Sequence, residues 1–480
     1  MRDIQSQSVT HLVVGDGITA LAFVEECDLA AGDSLAVLGR NASQLGRGAA
    51  YAKGDADKPW RYAYLLNSPA DDIDPAFARW LSDNWDRIAD TMTGRAPNWM
   101  AAAGPLLEVG DVYGVNAPRE FYGDFMEEQA NTALQRLRDK GVDVTLIDAC
   151  AERMESGPRG TTVWTDANHQ ITARAVDVAP GGPSTLRIEG DDGRFAVPSV
   201  FGHEDEIAEH IMAGAEIFCI GNNAAMLDVL RLCQSLISEE ALRFVACGPD
   251  GGIPAPLVPR LPRKLTRPNL SQGHETAESL LAEIWREIEL ARRDGDEMRE
   301  IRAGFRAHFL AHPISTYLDN PDEARRVPAK LRFWLRGGTR DTILDLRRLV
   351  KDGTAQLLQG AVKAVDHGPS GAQVRITDAA GGETVHNTGF VVNCAGAGPT
   401  SRYDPLTENM LEQGLIDICP VSKGLRVGPH CSTRAPGVRH LSPATTVIGD
   451  EVMAMPLYDA HMLRTYAQRA TYRPGKSSST

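Results

Sequence analysis

Residues 12–24 read LVVGDGITALAFV. The run Leu12-Val13-Val14 is apolar and short, as a buried strand is. It stops at Gly15-Asp16-Gly17-Ile18-Thr19-Ala20, and a helix-compatible stretch with Leu21, Phe23 and Val24 follows. This strand–G-x-G-x-x-A–helix order leaves few folds open. Gly15 permits the tight turn, Gly17 lets the backbone approach a pyrophosphate, and Ala20 keeps helix and strand close. The helix N-terminus then faces the phosphate charge. A parallel α/β sheet beginning with a dinucleotide-binding unit is the expectation, and a ligand-free βα turn is the plainer alternative.

A second strand, Ser34–Leu38, is followed by Gly39 and Arg40. A ribose-binding Asp or Glu is expected about 20 residues after the glycines. Its absence leaves three readings. Another residue serves the ribose, Arg40 handles a phosphate, or dinucleotide affinity is weak.

Further along stand Gly46-Arg47-Gly48-Ala49-Ala50-Tyr51 and Leu65-Leu66-Asn67-Ser68-Pro69-Ala70. Phe77 with Trp80-Leu81 follows, then Ala117-Pro118-Arg119 with Tyr122-Gly123. In this order the segments resemble a bacterial family of two-dinucleotide flavoproteins, the FAD/NAD(P)-binding proteins. Some of its members and relatives are flavin-dependent N-hydroxylating monooxygenases. The resemblance implies FAD held around Gly15, Gly17, Ala20, Arg40, Gly46, Arg47 and Asn67. It also implies a second turn for NADPH or NADH at Gly221-Asn222-Asn223-Ala224-Ala225-Met226-Leu227-Asp228, after the apolar strand 217–220. Gly221 and Asp228 match the family there. Asn223 stands where it has a glycine, and its side chain would crowd a pyrophosphate. A retained fold with a decayed ligand site is the competing reading.

Two segments look duplicated. Residues 161–182 and 373–398 each give a strand, a polar turn, a second strand and an apolar run ending in small residues. The second copy, ending Cys394-Ala395-Gly396-Ala397-Gly398-Pro399, resembles the family's strand end near FAD, which places Gly396 and Pro399 at that cofactor. In the first copy Asp177 interrupts the apolar run. The expected architecture is α/β, with a Rossmann-like FAD domain of residues 1–205 plus 352–470. A second Rossmann-like NAD(P)-binding domain with helices, residues 206–351, is inserted, and 471–480 form a flexible tail.

Other features carry less chemistry. The proline-rich loop after strand 242–246 holds Arg260, Arg263, Lys264 and Arg267, either an anion site or a solvated loop. Residues 275–310 read as two helices broken at Asp294-Gly295-Asp296. His308 and His312 have i, i+4 spacing, but without H-E-x-x-H they read as structural, and no metal site is expected. Near the end, Pro443–Thr446, Ala454-Met455-Pro456 and a final helix partly match the family segment that brings a helix N-terminus to the flavin ring. A capping helix is the alternative.

Composition narrows the partners. Lys and Arg number 50 against 64 Asp and Glu, a net charge of −14. That disfavours nucleic acid and anionic membranes. No run reaches the ~18–20 apolar residues of a membrane helix, and the eight cysteines include no C-x-x-C. A cytoplasmic protein acting on a small-molecule substrate is expected, with its oligomeric state open. The resemblance implies a flavin-dependent oxidoreductase, first a monooxygenase in which NAD(P)H reduces FAD and O₂ supplies the transferred oxygen. The catalytic residues are not identified. The alternatives are an FAD dehydrogenase or oxidase without a working NAD(P) site, and a non-catalytic protein that kept the fold.

Overall fold

The computed structural model describes residues 5–112, 115–253, 256–257, 265–334, 338–453 and 460–470. Strand Gln5–Val14 is central in the first sheet, and Leu12, Val13 and Val14 are buried, as a parallel strand covered on both faces requires. Across the sheet the order is Asp143–Asp148, Ser34–Gly39, Gln5–Val14, His169–Val178, Gly160–Thr165, Ala151–Gly157. The first four strands run parallel, and the last three form an antiparallel meander. Gly160–Thr165 pairs only with the first half of His169–Val178. Val438–His440 comes back from far along the chain to pair with its end.

A second sheet repeats this plan. Its order is Ala355–Gln359, Phe244–Gly248, Ile217–Ile220, Phe390–Asn393, Ala196–Val197, all parallel. A separate three-stranded meander (Ala361–His367, Ala372–Thr377, Glu383–Thr388) precedes the strand Phe390–Asn393, whereas in the first sheet the last meander strand is itself the one that joins beside Gln5–Val14. Both hairpins expected from the sequence are present, and each feeds a different sheet.

Two apolar cores follow this division. One packs the first sheet with helices Ile18–Glu25 and Arg119–Asp139, and also takes helices Ala277–Arg293, Met298–Ala311 and Pro321–Trp334. The other packs the second sheet with Ile343, Leu346 and Leu349 of helix Arg340–Lys351. The expected insert of 206–351 is therefore redrawn on both sides. Residues 277–331 join the first core, and strands 355–359 and 390–393 complete the second sheet. Length and order along the chain hid this, because strand pairing and helix docking are long-range.

The two helices around Gly295 form as expected. Thr276 caps the first, and a Glu297–Glu300 capping box starts the second. His308 meets the Tyr317 hydroxyl at 2.6 Å, a structural role, and no metal-binding cluster occurs among the described residues. Helix Ala460–Ala470 packs on helix Ile18–Glu25. Arg260, Arg263, Lys264 and Ala454–Pro456 lie outside the described residues. No helix among the described residues is long and apolar enough to cross a membrane.

Candidate functional site

The carboxyl ends of the parallel strands 5–14, 34–39, 169–178 and 438–440 lie along one edge of the sheet, the edge at which open α/β sheets bind ligands. Gly15 donates its N–H to the Leu38 carbonyl at 2.7 Å and has φ +121°. A side chain there would strike the Ala179 carbonyl. Leu441 N–H donates to Val178 O at 3.0 Å, and the Ser442 hydroxyl donates to Gly181 O at 2.7 Å. Thus the first duplicated segment, not the second, ends against the Gly15 turn.

Gly17 precedes helix Ile18–Glu25, whose N-terminus has no side-chain cap. A Cβ at Gly17 would find only the Gly48 Cα, 3.8 Å away. Protein packing therefore does not require Gly17, and the uncapped helix amides match what a pyrophosphate needs. The Gly46–Gly48 loop folds over the turn, with the N–H groups of Gly46 and Gly48 donating to Asp16 O at 2.8 and 3.2 Å. Gly48 has φ +55°, and a Cβ on it would come 2.9 Å from Gly17 Cα. Ala20 is fully buried at the helix–sheet contact. These residues fit FAD.

Other residues expected at the cofactor have different roles. Arg47 is fully buried and pairs with Asp124 and, at 2.7 Å, with Glu127. Its Nη1 donates to Tyr51 O at 3.2 Å. It clamps its loop to helix Arg119–Asp139 and presents no free face to a phosphate. Arg40 is exposed, one residue past the end of strand Ser34–Gly39. Asn67 is half-buried beside Ser68, whose hydroxyl accepts from Arg302 at 3.0 Å. Segment 64–70 runs antiparallel to 115–119, through Leu66 N to Ala117 O and Arg119 N to Tyr64 O, both 2.9 Å. The L-L-N and A-P-R segments are therefore one structural unit.

The second turn differs from the first at the atom that matters. Gly221 has φ +102° and lies against Cys394 O, as Gly15 lies against Ala179. Asn223 caps helix Ala224–Leu236 itself, accepting from Ala225 N at 3.0 Å and donating to Cys394 O at 2.6 Å. Its amide fills the place of a pyrophosphate, so these residues do not fit a nucleotide in the way the first turn does. Asp228 is buried and accepts from Arg119 at 2.8 Å. Burial pushes its carboxyl up and Arg119 opposes the shift. Gly396 lies 3.7 Å, by its built Cβ, from Asn223 Nδ2, and exposed Pro399 follows it. Both belong to the second turn rather than to the FAD crevice, because their strand pairs with Ile217–Ile220.

Sequence reasoning missed three polar residues. Asp16 packs its carboxylate at Gly39 and accepts the Asn41 N–H at 2.8 Å. Asn222 packs at Gly248 in the same way, donating to Gly252 O and, at 2.8 Å, to Asp250. That bond and the Gly252 N–H hold the Asp250 carboxyl below its usual range. The available signal was a polar residue after the first turn glycine, paired each time with a glycine ending the next strand.

Residues 12–183 match a protein family described as FAD-NAD(P)-binding. No curated protein sequence matches the chain. An ornithine N-hydroxylase of Kutzneria sp. 744 shares the fold with TM-score 0.52 at 13% identity, over 97% of each chain. A cadaverine monooxygenase of Erwinia amylovora, solved with FAD, does so with TM-score 0.54 at 11% identity, over 97% of this chain and 94% of that one. A T. acidophilum thioredoxin reductase aligns with TM-score 0.45 at 10% identity, over 97% and 96%. At such identities the likeness is one of fold.

Proposed function

We propose, from the premise that residues 12–183 form an FAD/NAD(P)-binding domain, that the protein is a flavin-dependent oxidoreductase, acting as a monooxygenase on a small molecule. The observation that carries the flavin reading is the uncapped helix N-terminus at a Gly17 that protein packing does not require. When bound, FAD supplies the electron-transfer and oxygen chemistry. The chain's own part is to bind and orient. Amides of the Gly17–Ala20 turn face the diphosphate, and the Gly46–Gly48 loop closes over them. Turns 179–182 and 441–445 are tied to each other beside the Gly15 turn through Leu441 N–H to Val178 O and Ser442 Oγ to Gly181 O. The ornithine N-hydroxylase and the cadaverine monooxygenase of the same fold support the monooxygenase step only as precedent for this architecture.

The test is direct. Full-length protein given FAD should retain a flavin absorbance band after desalting, and Gly17→Val should lose it. A colourless wild-type protein would overturn the reading. With labelled dioxygen, label should enter the product when a substrate is turned over; unlabelled product refutes the monooxygenase step.

One observation favours a second reading. Asn223 occupies the nucleotide end of its own helix, which suits a dehydrogenase or oxidase reduced by its substrate. Anaerobic bleaching of the flavin by substrate alone would identify it.

A further inference from the structure

In the first unit, the residue expected to hold the adenosine ribose is missing. The strand that should end in Asp or Glu ends in Gly39. The structure supplies a reason. A Cβ built on Gly39 would come 2.7 Å from Asp16 Cβ and 3.0 Å from Asp16 Oδ2. The Asp16 carboxylate thus stands where a side chain from position 39 would begin. It is held there. Oδ2 accepts the Asn41 N–H at 2.8 Å, and the backbone carbonyl of Asp16 is fixed by Gly46 and Gly48. Oδ1 lies 3.7 Å from the space above Gly48. The bond to Asn41 ties Oδ2 to the end of strand 34–39, while Oδ1 stays on the side of Gly48.

We infer that Asp16 has taken over recognition of the adenosine ribose hydroxyls of FAD, and that Gly39 is glycine to admit it. The inference rests on the reading that the Gly15–Gly17 turn holds FAD. A carboxylate accepts from both hydroxyls of a cis-diol, which a guanidinium such as the neighbouring Arg40 cannot do because it only donates. The second unit repeats the geometry with Asn222 against Gly248. There the amide holds a separate carboxylate, Asp250, beside the strand end. The turn residue and the strand-end glycine therefore act as a pair in both units, and in the first the turn residue is itself the acid.

The test compares FAD with an analogue lacking both adenosine ribose hydroxyls. Each is titrated separately into the full chain, and the ratio of the two dissociation constants is read from flavin fluorescence. Wild type should prefer FAD by about tenfold or more, the size of a hydrogen bond to a charged group. Asp16→Asn keeps the shape and the bond from Asn41, and should reduce the preference to about threefold or less. Gly39→Ala retains Asp16 but displaces it, and should lose the preference as well. A wild type that binds FAD without discriminating, or variants that discriminate as well as wild type, would overturn the assignment while leaving the FAD site standing. Failure of wild type to bind either flavin would instead overturn the FAD reading, and the ribose assignment with it. A merely structural Asp16 would weaken both ligands equally and leave their ratio unchanged, which also counts against the assignment.

Discussion

Gly123 lacks a side chain because Arg47 needs the space: a Cβ there would strike the guanidinium and lie 2.6 Å from Tyr51 O. One buried arginine thus links Gly46-Arg47-Gly48 with Tyr122-Gly123, two segments far apart in sequence. Asn223 caps the helix end that a nicotinamide nucleotide would need. Asn223→Gly should cost only a few tenths of a kcal/mol as a cap while freeing the helix amides. NADH- or NADPH-driven flavin reduction, followed by stopped-flow absorbance, should then rise by about tenfold; an unchanged rate would show that the plug is not what limits it. Asp177, which interrupts an apolar strand, accepts from His11 at 2.8 Å and Arg439 at 2.5 Å, and Cys27 lies 3.5 Å from the other His11 nitrogen. Burial alone would lower the His11 pKa, but Asp177 overcomes it and raises it to about 10. The group's stabilising contribution is whole below its unfolded pKa of about 6.5 and is lost as pH rises toward 10. Asp177 is shifted down despite its burial, chiefly by His11 and then Arg439, so its contribution is lost instead on acidification. The Tm advantage of wild type over His11→Gln should therefore shrink between pH 7 and pH 10; an advantage that stays flat contradicts the ion pair.

Among the elements, the two meanders decide the domain map. Strands 355–359 and 390–393 pair with 244–248 and 217–220, so all four should share one protection class in native-state hydrogen exchange. Protection of 390–393 that follows strand 5–14 instead would contradict this map. The helices 277–331 share the first core and should exchange with it. Helix Ile18–Glu25 is buried along nearly its whole length because sheet, helix 119–139 and helix 460–470 surround it. Its apolar sequence reflects that enclosure, and only its N-terminus remains for a ligand.

At the scale of the molecule, the two units are joined through segment 58–68 and the start of helix 119–139. Lys58 pairs with Asp205, the Thr339 hydroxyl donates to Leu66 O at 3.3 Å, and Arg119 pairs with Asp228 across the boundary. Asp228 is almost fully buried, so removing its partner strands a charge. Arg119→Gln should cost about 3 kcal/mol, read as a lower urea midpoint, with Asp228 taking up a proton. No loss of stability would mean the pair is not a tie between units. Asp228 had been expected at a nucleotide; its partner is an arginine more than a hundred residues earlier in the chain.

Much was legible from local pattern. A strand, two glycines and a helix at residues 12–24 sufficed for a parallel α/β fold, since the positive φ of a turn glycine and the direction of helix amides are set by neighbouring residues. The turn at Gly221 and the two hairpins were legible for the same reason. The tertiary structure alone decided which hairpin completes which sheet, that Arg47 and Asp228 are ion-pair anchors, that Asn223 caps its own helix, and that the Asp16 carboxylate packs against Gly39. Each of these depends on groups brought together by long-range pairing, where a side chain's role is set by the space and charge it meets.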